Sequence, residues 1–265
     1  MSLLLLAALF LQGLSWQPAT PRQGSLIVVS APGAITGEVA NEPLHFSGGK
    51  ALAAVPLSTT DSTKIETLEI RWDGAVVGKT AYVPVSSRKA PVNEQVRADE
   101  RFTPAPDSAL QARIDAERTL MRDAARRAHD VPKLWKAPFM RPRTARITSV
   151  FGSGRQVNGV WRSRHSGLDI AGRTGAPVRV SNRGIVALVG DFFYGGISVY
   201  VHHGDGLMTV YHHLSRALVA VGDTVARGQV IGRVGATGRV TGPHLHWGAQ
   251  YGSIAFDPTD LLKLR

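Results

Sequence analysis

The chain is 265 residues long, 43% apolar and 19% charged, with 28 Gly and 15 Pro, which is enough for two modest domains and excludes a disordered polymer or a fibrous repeat. It contains no Cys, so disulfides, thiolate metal sites, iron–sulfur clusters, thiol nucleophiles and lipoprotein anchoring are excluded together, and any metal must be held by His, Asp or Glu. The formal charge of +11 is uneven: residues 141–265 hold 15 Lys/Arg against 6 Asp, and residues 1–140 hold 16 basic against 14 acidic, so the carboxy-terminal part is the one that faces an anionic partner.

Residues 1–15 open with an apolar run from Leu3 to Leu11, and Gly13-Leu14-Ser15 offers a small-x-small cleavage pattern. The run is shorter than the roughly 20 residues that span a bilayer. It reads as a signal peptide, with export to the periplasm, cell envelope or extracellular space and no stable membrane insertion after cleavage. No Lys or Arg precedes the run. Residues 22–90 read as a small β (immunoglobulin-like) domain of short alternating stretches. Its clearest pair is Ile65 to Trp72, then Asp73-Gly74 as a two-residue hairpin turn, then Ala75 to Val85. Period two places Leu68, Ile70 and Trp72 on one face, with Glu69 and Arg71 on the other. The domain carries no catalytic constellation, and its single histidine, His45, is expected to pack or lie at the surface.

Residues 91–140 form a linker with one helix, expected over about Ser108 to Ala128. Ser108 and Gln111 fit a capping box, and Leu110, Ile114, Met121 and Ala125 recur at roughly helical spacing. The many charges of both signs describe a solvated connector, and Pro132, Pro138 and Pro142 exclude its continuation. Residues 141–265 are dense in short strands separated by glycines: 145–151, 178–180, 185–190, 197–202, 207–211, 230–234 and 244–250. The fold class is therefore mainly β: a small sandwich-like domain, a helical connector and a carboxy-terminal domain of mostly antiparallel strands.

Seven of the nine histidines fall in the last 125 residues. In a strand, His244-Leu245-His246 puts both imidazoles on one face and Leu245 on the other. His165-Ser166-Gly167-Leu168-Asp169 sets an imidazole and a carboxylate four apart, with Gly167 allowing a bend between them. Together they offer neutral nitrogens and one hard oxygen, a set that suits Zn²⁺ held by three protein groups with a fourth position open. Residues 141–265 contain no Glu, so His-Glu-x-x-His chemistry is excluded. A general base must be an Asp or a spare His; the best placed are the other member of His244/His246 and one of His212/His213.

At these residues the sequence resembles the lysostaphin-type zinc endopeptidases of peptidoglycan, the LytM-domain peptidases. The likeness runs through Ser149-Val150-Phe151-Gly152, His165-Ser166-Gly167-Leu168-Asp169, Gly175-Ala176-Pro177-Val178, Tyr211-His212-His213-Leu214-Ser215, Gly228-Gln229-Val230-Ile231-Gly232, Gly235-Ala236-Thr237-Gly238 and Gly242-Pro243-His244-Leu245-His246. The resemblance implies that His165, Asp169 and His246 are zinc ligands and that His213 and His244 hold the nucleophilic water or steady the tetrahedral intermediate. It also implies a Zn²⁺ cofactor, peptidoglycan as the anionic partner and peptide-bond hydrolysis by metal-activated water. Two features depart from the pattern. Trp247-Gly248 stands where relatives often have Phe-Glu, and in the doublet the pattern favours His213 while strict alternation sends His212 to the opposite face. His202 and His203 are expected to pack or to bond a turn. Other functions compatible with export are hydrolysis of exported proteins and a non-catalytic role as a wall-binding activator of amidases; a nucleic-acid binder is disfavoured because no recognition helix or aromatic platform is present.

Overall fold

In a computed structural model, residues 13–70, 74–89, 93–97, 99–102, 105–136 and 138–264 are described. The apolar run of the expected signal and Asp73 of the expected hairpin turn lie outside the described residues. Leu14, within the expected cleavage pattern, is buried in the first domain. Among the described residues no helix is long and apolar enough to cross a membrane.

The first domain comprises β1 (Ser15–Gln17), β2 (Leu26–Ser30), β3 (Ala34–Val39), β4 (Glu42–Pro43), β5 (Lys50–Ala54), β6 (Ser62–Ile70) and β7 (Val76–Pro84). They form two sheets, β1-β2-β5 and β4-β3-β6-β7, which share a core of Ile27, Val29, Ala53, Ile65 and Val83. Ile65 opposite Ala81 sets the register of β6 on β7, and alternation then buries Thr63 and Thr67 and turns Leu68 outward, 43% exposed. The face carrying Leu68 is thus the outer one, because the core-facing parity is fixed by Ile65. Glu69, half-buried, is held by Lys79 Nζ at 2.9 Å.

The linker contributes β8 (Asn93–Val96) and α1 (Ser108–Arg127). The helix is capped one residue earlier than the sequence pattern suggests: Asp107 Oδ1 accepts from Leu110 N at 2.8 Å. A carboxylate there also meets the positive end of the helix dipole. The helix is not a free strut. Met121 and Ala125 pack on Phe192, Tyr200, Met208 and Val210, and His202 Nε2 donates to Ala124 O at 2.6 Å, satisfying one of the last-turn carbonyls that a helix leaves open.

The carboxy-terminal domain comprises β9 (Ile147–Ser149), β10 (Gly154–Val157), β11 (Val160–Arg164), β12 (Gly167–Ala171), β13 (Pro177–Arg179), β14 (Gly184–Phe192), β15 (Gly196–Gly204), β16 (Leu207–Ala217), β17 (Thr224–Val225), β18 (Val230–Val234), β19 (His244–Tyr251) and β20 (Ile254–Phe256). Ten of them make one antiparallel sheet, with the path β17-β14-β15-β16-β19-β12-β9; β18 pairs β16 and β13, and β20 pairs β19. One pairing departs from the antiparallel expectation: β8 of the linker runs parallel to β10 in a small separate sheet, β11-β10-β8.

The two domains share side chains. Leu26 and Ala54 belong to the same core as Trp247, Leu245 and Phe256. Glu42 reaches across to accept from Ser253 N at 2.8 Å and from His129 Nε2 at 2.9 Å, and His129 Nδ1 lies 2.8 Å from His45 Nε2. His45 is therefore one end of a buried polar chain between domains. Burial pushes the Glu42 carboxyl up, and the hydrogen bonds from His129 and Ser253 outweigh it, leaving the group below its ordinary range. In urea unfolding at pH 7, Glu42→Ala is expected to lose about 1–3 kcal/mol, the cost of leaving buried donors unpaired; an unchanged midpoint would mean that the chain of bonds contributes nothing.

His203 is fully buried, with Nδ1 2.8 Å from Arg183 O and Nε2 2.8 Å from Thr209 Oγ. Burial pushes it down to about 4 from 6.5. The unfolded chain then binds a proton between these values that the folded chain refuses, so stability falls as pH drops from about 6.5 toward 4, by on the order of 3 kcal/mol from this group. Urea midpoints of the chain and of His203→Gln, taken at pH 7 and pH 4.5, are expected to show a smaller acid-dependent drop in the variant.

Candidate metal centre

The site grows from one row of side chains across four neighbouring strands. Ser149 of β9 is opposite Asp169 of β12, Asp169 is opposite His246 of β19, and His246 is opposite His212 of β16. Residues directly opposite on antiparallel strands hold their Cβ atoms roughly 4.5–5.5 Å apart, so the register alone places a carboxylate and two imidazoles on one patch. The alternate residues Leu168, Ile170, Leu245 and Trp247 point into the core and are at most 2% exposed.

His165 arrives from the turn before β12. Its Nε2 lies 3.1 Å from Asp169 Oδ1 and 2.9 Å from His246 Nδ1, and His246 Nδ1 is 3.0 Å from the same oxygen. Three ligand atoms, one from each residue, lie within 4.8 Å of one another, and all three residues are buried. The Nδ1 of His165 is 3.1 Å from Val150 O, an atom that only accepts, so this nitrogen carries the hydrogen and Nε2 presents its lone pair inward. Gly167 does not bend the chain as the sequence suggested; it opens strand β12, and what it supplies is space. A Cβ there would stand 2.5 Å from Trp247 O and 2.7 Å from His246 Nε2.

His213 and His244 face each other beside this group, with ring centroids 4.9 Å apart. His213 Nδ1 donates to Thr237 O at 2.9 Å and His244 Nδ1 to Gly242 O at 2.9 Å. In both rings the carbonyl fixes the tautomer, so Nε2 is the basic nitrogen. His244 Nε2 is buried without a hydrogen-bond partner and lies 3.6 Å from Asp169 Oδ2. The doublet does not obey strict alternation: a bulge in β16 opposite Ser198 and a left-handed backbone at His213, φ 62°, turn both imidazoles toward the site. His212 stacks on His246 with centroids 5.2 Å apart, and its Nδ1 is 2.7 Å from Ser198 Oγ. Such backbone costs of order 1–3 kcal/mol and persists only where its surroundings over-determine it.

Electrostatics favour a cation. Burial raises the Asp169 carboxyl, but the close approach of the His165 and His246 imidazoles outweighs it and holds the group well below the usual carboxylate range. Burial brings His246 down to about 4, and burial, then the neighbouring His244, holds His213 well below 6.5. At neutral pH the site thus offers neutral His246 and His213 beside an ionised carboxylate. Two bare nitrogens and one anionic oxygen converging in a buried space, beside a buried nitrogen with no hydrogen-bond partner, fit a divalent metal bound by three protein groups. The cleft continues on both sides, about 480 Å³ past Arg146, Thr241 and His244 and about 160 Å³ past Tyr194 and His213.

Three contributors went unread in the sequence: Ser149, whose Oγ is 2.8 Å from His165 Nδ1; Arg155, paired with Asp169; and Thr237. The first and third lie inside motifs already noted, and only contacts reveal their roles. Nothing in the residues around Arg155 sets it apart from its many neighbouring arginines.

The fold and donor set define a β-sheet domain built around a buried His–Asp–His group that could hold a metal ion. Residues 163–258 match the model of Peptidase family M23, and the carboxy-terminal domain is a member of that family. The peptidoglycan DD-endopeptidase ShyA of Vibrio cholerae is 49% identical over 83 residues, 31% of this chain and 19% of that protein. The DD-carboxypeptidase/endopeptidase Mpg of Neisseria meningitidis is 40% identical over 117 residues, 44% of this chain and 27% of that protein. This chain thus spans between a fifth and a little over a quarter of these curated relatives. A crystal structure of a Pseudomonas aeruginosa protein classed with peptidase M23 superposes with a TM-score of 0.70 at 28% identity, covering 91% of this chain and 94% of that one.

The close approach at Gly167 yields a direct check on the centre. Gly167→Ala is expected to weaken metal uptake by at least tenfold, measured by competition with a chromogenic chelator. Gly242→Ala, where an added Cβ meets nothing within 4 Å, is expected to bind as the unaltered chain does.

Proposed function

We propose that this chain is a zinc-dependent endopeptidase that hydrolyses peptide bonds in peptidoglycan stem or cross-bridge peptides, acting outside the cytoplasm. The observation that carries the reading is the convergence of His165 Nε2, Asp169 Oδ1 and His246 Nδ1, with the basic nitrogens of His213 and His244 facing the same cleft. Membership of a peptidase family supports it, as do the names of the two curated relatives, a peptidoglycan DD-endopeptidase and a DD-carboxypeptidase/endopeptidase. The +9 charge of the domain suits an anionic wall polymer.

A Zn²⁺ ion, which His165, Asp169 and His246 would hold, would supply Lewis acidity to the scissile carbonyl and to the attacking water. His213 and His244 do the rest. Each points a lone pair at the cleft from a ring whose other nitrogen is tied to a carbonyl, so either can accept the proton of the attacking water. The protonated ring can then donate to the oxygen on which negative charge develops and deliver the proton to the departing amine.

Purified protein incubated with peptidoglycan is expected to release fragments whose masses report peptide-bond cleavage, and a chelator is expected to stop the release. His213→Ala and His244→Ala are expected to retain metal and lose roughly 10²–10⁴ in kcat. Release that ignores the chelator, or persists in both variants, would overturn the reading.

A further inference from the structure

The geometry points to Arg155 as the positioning residue that divides the two oxygens of Asp169, giving Oδ1 to the metal and keeping Oδ2 for itself. The inference rests on the metal reading above. Asp169 Oδ1 is the oxygen facing both His165 Nε2 and His246 Nδ1, at 3.1 and 3.0 Å. Its other oxygen, Oδ2, accepts from the Arg155 guanidinium and lies 3.6 Å from His244 Nε2. The same terminal nitrogen of Arg155 donates to Ser149 Oγ at 3.2 Å, and Ser149 Oγ is 2.8 Å from His165 Nδ1. One guanidinium therefore touches the supports of two of the three ligands, from the side away from their converging lone pairs.

The chemical consequence follows from coordination number. A carboxylate with both oxygens free can chelate a cation and occupy two positions; a carboxylate with one oxygen committed to a guanidinium presents only one. With two imidazoles, one-oxygen ligation makes three protein ligands and leaves a position for the reactant. Groups that orient ligands in this way typically change metal affinity by 10–100-fold when removed. Lysine keeps the charge but not the planar, rigidly oriented guanidinium that aims this nitrogen at both oxygens, so it replaces the contact only in part.

Arg155 reaches the centre from an unusual direction. It sits on β10, outside the ten-stranded sheet that carries the ligands, next to a register shift against β11. On its other edge β10 is paired with β8 of the linker, Arg155 opposite Glu94, and Gln95 Nε2 donates to Gln156 Oε1 at 2.7 Å. The segment upstream of the peptidase domain thus helps to hold the arm that sets the ligand carboxylate.

The test measures metal binding rather than turnover. Zn²⁺ affinity is read by chelator competition, and the visible spectrum is read after Co²⁺ loading, for the full chain, Arg155→Gln and Arg155→Lys. Arg155→Gln is expected to bind Zn²⁺ about 10–100-fold more weakly. Its Co²⁺ absorption is expected to be less intense, as the freed Oδ2 joins the ion and raises its coordination number. Arg155→Lys, which keeps the charge and guards against a simple folding defect, is expected to fall between the two. Zn²⁺ affinity within twofold of the unaltered chain together with an unchanged Co²⁺ spectrum in both variants would overturn the role. A full chain that takes up no Zn²⁺ would instead remove the metal reading itself.

Discussion

The pairing of β12 with β19 is the constraint on which the rest depends. Asp169 stands opposite His246 because the residues on either side of each, Leu168 and Ile170, Leu245 and Trp247, are committed to the core. Sliding either strand by a single residue would turn two of its large apolar side chains to solvent and force its carboxylate or its imidazole inward. At roughly 1.5–3 kcal/mol for each buried side chain, the hydrophobic face fixes the register, and the register fixes the metal centre. The polar patch does not assemble itself; it is the reverse side of a well-packed sheet.

Around that patch the chain departs from regular geometry in the places where chemistry needs it. The bulge in β16 and the left-handed His213 bring two successive histidines to one side of a strand, which regular alternation forbids. Backbone carbonyls of Gly242 and Thr237 then settle which nitrogen of each catalytic candidate is basic. These carbonyls lie in turn segments rich in glycine, whose sequence value is in backbone shape rather than in side chains.

The remainder of the molecule supports this surface from behind and from one edge. Helix α1 covers the outer face near Tyr200 and Met208, the first domain shares core residues with the second, and Glu42 ties three segments together through His129 and Ser253. The linker strand β8 closes the edge of the arm that carries Arg155. The cleft itself is bordered by Arg146, Arg155 and Arg239, with Asp169 the only carboxylate among the described residues lining it, so basic side chains outnumber acidic ones along this lining.

Composition, period-two alternation and the spacing of seven histidines were sufficient to read a mainly β chain and to single out the histidines and the aspartate that converge in its last 125 residues, because these depend on residue type and near neighbours. Strong apolar strands such as Val230–Val234 were legible for the same reason. The strands β10, β11, β12, β17 and β20 were not, since they are short or mix glycine and arginine with few apolar residues and owe their extended form to partners distant in sequence. Alternation misled at His212, where a bulge in β16 overrode it; in β6 it held, but only the packing of Ile65 shows that the face carrying Leu68 is the outer one. Sequence thus determined which donors exist; tertiary structure decided which face each one occupies, which nitrogen is bare and which arginine reaches Asp169, because those follow from strand register and contacts between segments some 14 to 80 residues apart.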